Sequence, residues 1–206
     1  MHIPVLLKES VDSLNLKPNN IVVDATVNRA GHSLAIAKQI GKGGILVCID
    51  LDKDALNEAE KFLDKNLKAK DRPKIFFVND NFRNLEKILE DLKIKSIDAL
   101  VADLGVSSQE IDDSGRGFSF QRDEPLLMTL KNPIKKGDLT AEYIVNNWQE
   151  ETLADIIYYY SDERYAKRIA RNIIEARRGK EIKTTFQLVD IISKSVPINY
   201  KHSKIH

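Results

Sequence analysis

The stretch Ile21-Val22-Val23-Asp24-Ala25-Thr26-Val27-Asn28-Arg29-Ala30-Gly31-His32-Ser33 constrains this chain more than any other. Ile21 to Val23 is apolar and β-branched, the composition of a short strand covered on both faces. Asp24 closes that strand. Ala25, Ala30 and Gly31 keep bulk away where the backbone turns toward a ligand. Ser33 offers a cap to a following helix whose apolar stripe is Leu34, Ile36, Ala37 and Ile40. A strand, a tight turn and a helix in this order present backbone N–H groups at the carboxyl edge of a sheet. Open α/β folds bind nucleotide-like ligands there.

A second acid supports a nucleoside site. Ile45-Leu46-Val47-Cys48-Ile49-Asp50 is another apolar run ending in a carboxylate. Asp50 lies 26 residues after Asp24, a little beyond the usual gap to an acid that accepts hydrogen bonds from ribose hydroxyls. The glycine fingerprint of dinucleotide sites is absent, because Asn28 and Ala30 stand where glycines would be wanted. That argues against a pyrophosphate cradle and a nicotinamide cofactor. It fits S-adenosylmethionine better, which carries adenosine without phosphate. One such acid alone reads equally well as a helix cap after an ordinary strand, whereas two flanking one small-residue turn favour the nucleoside site.

At 206 residues the chain accommodates one domain or two small ones, and 42% hydrophobic residues supply a core. It has neither an apolar run long enough to span a membrane nor a charged-then-apolar leader, so a cytoplasmic protein without a membrane partner is expected. The single cysteine, Cys48, lies inside an expected buried strand and excludes an internal disulfide framework. The four histidines are scattered and no Cys/His cluster has zinc spacing, so no metal is expected. The net charge of +1 hides an asymmetry: residues 161–206 hold eleven Lys and Arg against five Asp and Glu, which leaves the preceding part acidic. A basic segment on an acidic body points to a local contact with a polyanion.

Strand and helix signals alternate four times. A short helix is expected over 10–16, then strands at 21–24, 45–49, 75–78 and 97–103. Helices are expected at about 31–41, 53–67 and 81–93. That is the pattern of a parallel doubly wound α/β sheet. Beyond Asp103 the pattern breaks into loops, and residues 140–195 read as helices at 140–147, 149–160, 162–178 and 184–195. A Rossmann-like half followed by a helical domain is the expected architecture.

Several runs resemble those of the bacterial small-subunit ribosomal RNA cytosine-N4 methyltransferases. They are His2-Ile3-Pro4-Val5-Leu6-Leu7-Lys8-Glu9, the turn from Asp24 to Ser33, Ile49-Asp50-Leu51-Asp52 and Asp103-Leu104-Gly105-Val106-Ser107-Ser108. Gly115-Arg116-Gly117-Phe118-Ser119-Phe120 and Glu163-Arg164-Tyr165-Ala166-Lys167-Arg168-Ile169-Ala170 complete the set. The resemblance implies a class I, Rossmann-like methyltransferase that uses S-adenosylmethionine, with a helical domain inserted after the fourth strand. The implied division is a cofactor-binding part over 1–106, a helical substrate-recognition insertion over 107–198, and the start of a return to the core over 199–206. The implied substrate is a cytosine of small-subunit ribosomal RNA.

The family's cofactor positions fall on Ala30, Gly31 and His32 in the turn, Asp50 after the second strand, Phe82 after the third and Asp103 after the fourth. A family glutamine falls on Glu110, beside Gln109. Three glycines of the family turn are replaced, so positive φ at Asn28 and Ala30 would carry a cost at Ala30. Leu127 and Thr129 stand where the family has an acid and an arginine. The chain stops at His206, where family members continue through further strands, so a C-terminally truncated member with an incomplete sheet is expected. An open sheet edge of that kind would be covered by a homodimer or would destabilise the fold. The alternative to an active enzyme is a catalytically silent remnant that binds RNA or a partner through its helical domain.

An exocyclic amine is a poor nucleophile because its lone pair is delocalised into the ring, so an acceptor must draw on its N–H protons. Asp103 occupies the place for this, with Ser107 and Ser108 as secondary acceptors; a strand-end acid that merely caps the next turn is the plainer alternative. Phe82 reads either as an adenine platform or as a core aromatic. His32 reads as a cofactor contact or as a helix-start residue with no ligand role. Phe118 and Phe120, near Arg116 and Arg122, read as base and phosphate contacts or as anchors of the insertion. Arg164, Lys167, Arg168 and Arg171 fall on one face at helical spacing, extended by Arg177, Arg178 and Lys180. They form an RNA-binding candidate or an ordinary solvated basic face.

Overall fold

The computed structural model describes residues 6–106, 111 and 114–201. The chain divides into two compact units, Met1–Gly105 with Leu130–Ile134, and Val106–Thr129 with Lys135–His206.

The first unit is built on a four-stranded sheet of order β3-β2-β1-β4. Its strands are β1 (Ile21–Asp24), β2 (Ile45–Asp50), β3 (Lys74–Asn79) and β4 (Ala99–Val101), and all neighbours pair in parallel. Parallel strands need crossovers, here supplied by α2 (Gly31–Ile40), α3 (Lys53–Asn66) and α4 (Leu85–Asp91); α1 (Leu7–Ser13) precedes the sheet. Successive side chains face opposite ways and both faces are covered. Val22, Leu46 and Cys48 pack with Ile36, Ile40, Leu56 and Leu63 on one face, while Val23, Val47 and Ile49 pack with Ile88 on the other. That two-sided burial is why the strands read as unbroken apolar runs.

The fourth strand is shorter than its apolar run suggests. Asp98 anchors its start by accepting the Ile21 N–H on Oδ2 at 2.6 Å and donating its own N–H to Ile21 O at 2.8 Å. After Val101 the ladder ends, because the Asp103 N–H bonds to the Thr26 hydroxyl at 2.7 Å instead of to a strand neighbour. β4 lies at the end of the strand order, and its Leu100 is 40% exposed.

The turn after β1 takes the left-handed conformation at Asn28 (φ 40°) and at Ala30 (φ 58°). Asn tolerates this region, whereas the Cβ of Ala costs about 1 kcal/mol there. Ala30 is fully buried and its N–H donates to Val27 O at 2.7 Å, so its surroundings hold it in place. Ser33 does not cap α2 as its position suggested. The N-cap is Ala30, and Ser33 lies inside the first turn, where its hydroxyl donates to Asp24 Oδ2 at 2.6 Å.

The second unit holds α5 (Ala141–Asn147), α6 (Glu150–Ser161), α7 (Ala166–Gly179), α8 (Thr185–Ser195) and the short α9 (Ile198–Lys201). Leu126, Val145, Leu153, Ile169, Ala170, Ile173 and Ile182 form its core. Thr140 caps α5, and a Thr184–Gln187 capping box opens α8. Arg177 is spent internally: its Nη1 donates to Val145 O at 2.9 Å and Trp148 O at 2.8 Å, satisfying carbonyls at the end of α5. Among the described residues, no helix is long and apolar enough to cross a membrane.

The left-handed alanine gives the first prediction. Ala30→Gly should leave stability in urea unfolding within about 1 kcal/mol of the parent, because relief of the left-handed strain is offset by the lost buried methyl and by glycine's chain entropy, whereas Ala30→Val should cost more than about 1 kcal/mol. A valine variant as stable as the parent would contradict the left-handed turn.

Candidate functional site at the carboxyl edge of the sheet

Four parallel strands deliver four connections to the same sheet edge, and every described position that the family resemblance implies for a cofactor is on one of them. Asp50 ends β2 and is half-buried. Its Oδ2 accepts the Asn28 N–H and its Oδ1 accepts the Asp52 N–H, both at 2.9 Å. One carboxylate thus ties the left-handed turn to the start of α3, whose N-cap is Asp52.

Asn79 reinforces this corner from β3, its side-chain amide donating to Asp50 O at 3.0 Å and to Leu51 O at 2.9 Å. The segment Leu130–Ile134 completes it. The Asn132 N–H donates to Leu51 O at 3.1 Å, and Asn132 O accepts the Lys53 N–H at 3.0 Å. The Asn132 side chain donates to Asp54 Oδ2 at 2.7 Å.

Phe82 opens a 3₁₀ turn, Phe82–Asn84, just after β3. The residue is 41% exposed, so it is not the core aromatic that its sequence also allowed. Asn81 and Asp80 hold the turn by accepting the Arg83 N–H at 2.9 Å and the Asn84 amide at 2.8 Å. Asp103 is exposed, with its backbone pinned by Thr26 as described. Gly31 and His32 are half-buried in the first turn of α2. Ser107, Ser108 and Glu110 lie outside the described residues.

Asp24 sits beneath this edge, buried against Ser33 and the Thr26 N–H. Burial raises its carboxyl above the ordinary value of 3.8, against the lowering effect of the Ser33 hydrogen bond. Burial likewise pushes up the Cys48 thiol, which lies 3.4 Å from the Ser33 hydroxyl. A thiol kept protonated in this way is a core residue and not a nucleophile.

In the second unit, Arg116 and Phe118 are half-buried and Phe120 is 68% exposed. Gly117, at φ 77°, donates its N–H to Glu124 Oε2 at 2.9 Å; a Cβ there would come within 2.5 Å of Pro125 O. Lys167, Arg168 and Arg171 are exposed on α7. Arg164 departs from the expected helical face. It precedes the N-cap Tyr165, and its guanidinium lies over the rings of Tyr165 (5.0 Å) and Tyr200 (4.5 Å). Arg171 reaches Glu150 at 3.7 Å across exposed surface, a contact worth well under about 1 kcal/mol.

Sequence reasoning missed Thr26, Asn79 and Asn132. Thr26 had a signal, since it follows a strand-end acid inside the turn. Asn132 had none, because its partners lie about 80 residues away.

A four-stranded parallel sheet covered by helices on both faces defines the class, a Rossmann-like α/β fold, and the sequence comparison gives the family. Residues 1–206 match the MraW methylase family, and the chain belongs to it. It is 44% identical to the ribosomal RNA small subunit methyltransferase H of Finegoldia magna, over 95% of this chain and 60% of that protein. The protein of the same description from Halothermothrix orenii is 43% identical, over 100% of this chain and 63% of its own length. That of Clostridium botulinum strain 657 is 40% identical, over 97% and 62%. The chain therefore spans about three fifths of the length of the curated relatives it matches.

The buried acid makes a pH prediction. A raised native pKa means that the folded state binds the proton more tightly than the unfolded one. Asp24 therefore withdraws stability as pH rises from about 3.8 through its higher native value. Asp24→Asn removes that dependence, so the stability of the variant relative to the parent should increase as pH is raised from 4 to 7 in urea titrations (roughly the carboxylate range). A difference that stays constant with pH would contradict the burial argument.

Proposed function

We propose that this chain works as an S-adenosylmethionine-dependent methyltransferase acting on the exocyclic N4 amine of a cytosine in small-subunit ribosomal RNA. The observation that carries the reading is the gathering of the left-handed turn, Asp50, Phe82 and Asp103 at one sheet edge. Membership of the MraW methylase family supports it, as does similarity to ribosomal RNA small subunit methyltransferases H.

The residues present suit this cofactor. The carboxylate of Asp50 is oriented by two backbone amides, as an acceptor for ribose hydroxyls needs. Phe82 offers a partly exposed ring on a turn held by hydrogen bonds, a platform for adenine. The turn supplies small residues and the first N–H groups of α2, which favour a carboxylate end. When bound, S-adenosylmethionine supplies the electrophilic methyl group.

The chain's own task is then to present the amine. Asp103 accepts hydrogen bonds from the amine N–H protons and localises the lone pair, with Ser107 and Ser108 as further acceptors. Thr26 fixes the backbone from which Asp103 projects. Holding the reacting atoms about 3–3.5 Å apart contributes the rest of the acceleration. Lys167, Arg168 and Arg171 meet RNA phosphates from exposed positions on α7.

Calorimetric titration of this chain with S-adenosylmethionine and S-adenosylhomocysteine tests the reading. Micromolar binding is expected, weakened by about tenfold or more, 1.4 kcal/mol, in Asp50→Ala. Asp103→Ala should abolish methyl transfer to small ribosomal subunits while the chain stays folded. No binding by the folded chain would favour the second reading, a silent remnant that acts through its helical unit. The alanine at a left-handed position that the family fills with glycine is the observation behind that alternative.

A further inference from the structure

The last turn of helix α6 carries three consecutive tyrosines, all of them exposed. Tyr158 is 52% exposed, Tyr159 74% and Tyr160 89%. Tyr158 and Tyr159 meet edge to face, with ring centroids 5.4 Å apart. None of the three belongs to the apolar core of the unit, and aromatic rings left this exposed mark an interaction site.

The chemistry beside them identifies the partner. Asp162, in the left-handed conformation, ends α6 by donating its N–H to Tyr158 O at 2.8 Å. The chain returns within four residues into α7. The two helices share one core through Leu153 and Ala154 on α6 and Ile169, Ala170 and Ile173 on α7. The end of α6 and the start of α7 therefore lie at the same end of one helical hairpin. That start carries Arg164, Lys167 and Arg168, all exposed, and no acidic residue occurs from Arg164 to Ile174.

The acids of the connecting turn are Asp162 and Glu163. Asp162 is exposed, but Glu163 is engaged on both oxygens, by the Tyr165 N–H at 2.7 Å and the Tyr200 hydroxyl at 3.0 Å. The Arg164 guanidinium lies within cation–π distance of the rings of Tyr165 and Tyr200, which themselves meet edge to face at 5.0 Å. A guanidinium attracted to ring faces still carries five N–H donors, with which it can meet a phosphate.

We propose that this end of the hairpin, with Tyr159 and Tyr160 beside Arg164, Lys167 and Arg168, is a stacking platform for an unpaired stretch of RNA. The inference deepens the proposed RNA methyltransferase function and rests on that reading. Rings bind the faces of unstacked bases while cations follow the phosphates, so the pair of features selects single strands over duplex. A duplex hides its base faces and would use the cations alone.

Fluorescence anisotropy of this chain with a labelled uridine dodecamer and with a labelled RNA duplex of equal length, over a range of salt, tests the proposal. The dodecamer should bind more tightly than the duplex. The double variant Tyr159→Ala/Tyr160→Ala should bind it roughly tenfold or more weakly with an unchanged salt slope. Tyr159→Phe/Tyr160→Phe should bind like the parent, since stacking needs the ring and not the hydroxyl. Lys167→Glu/Arg168→Glu should instead flatten the salt slope by about one to two.

Alanine variants that bind like the parent while the charge variants lose slope would overturn the platform and leave the RNA reading standing. Tighter binding of the duplex would also overturn it. Failure of the parent chain to bind either RNA would overturn both.

Discussion

The Asp50 carboxylate is the interaction on which the site depends. It spans the gap between two strand-exit loops by accepting one amide from each, Asn28 before α2 and Asp52 before α3. Hydrogen bonds to an ionised acceptor are among the stronger ones available to a protein. This one holds the left-handed turn in register with the end of β2. It also leaves a carboxylate at the sheet edge, where a nucleoside is proposed to bind. The same group therefore serves the fold and the proposed function, and a change at Asp50 disturbs both.

Around that carboxylate the structure builds support from distant sequence. Asn79 fixes the Asp50 and Leu51 carbonyls from β3, and Asn132 reaches the same loop from a segment that returns to the first unit. Thr26 links the first turn to the exit of β4. Beneath them Asp24 and Ser33 form a buried hydrogen-bonded pair in a region where an unpaired carboxylate would be costly. The Ala30 backbone is strained by about 1 kcal/mol, a small sum beside the burial of the two-faced sheet.

Much of this was legible from the sequence, because the elements rest on local signals. Apolar β-branched runs gave β1 and β2, and the spacing of Ala, Leu and Ile gave α2 and α3 to within a residue or two. Asp50, Phe82 and Asp103 could be placed together because each follows an apolar run and parallel strands all point the same way. Ser33 was misread as a cap because a short polar side chain at a helix start has two outlets, and the buried Asp24 took it. Arg164 was placed on a helix face by spacing alone, whereas two tyrosine rings, one of them 36 residues away, decided its position. Asn132 was invisible because nothing near it in sequence announces a partner at the start of α3.

We propose that the carboxyl edge of this sheet, organised by Asp50, binds the nucleoside. The most direct measurement is an amide-resolved nuclear magnetic resonance titration of the isotopically labelled chain with S-adenosylhomocysteine. Saturable shifts should concentrate at Asn28, Ala30, Asp52, Phe82 and Asp103, the amides around that edge. Shifts confined to residues 140–195, or none at saturating ligand, would contradict it.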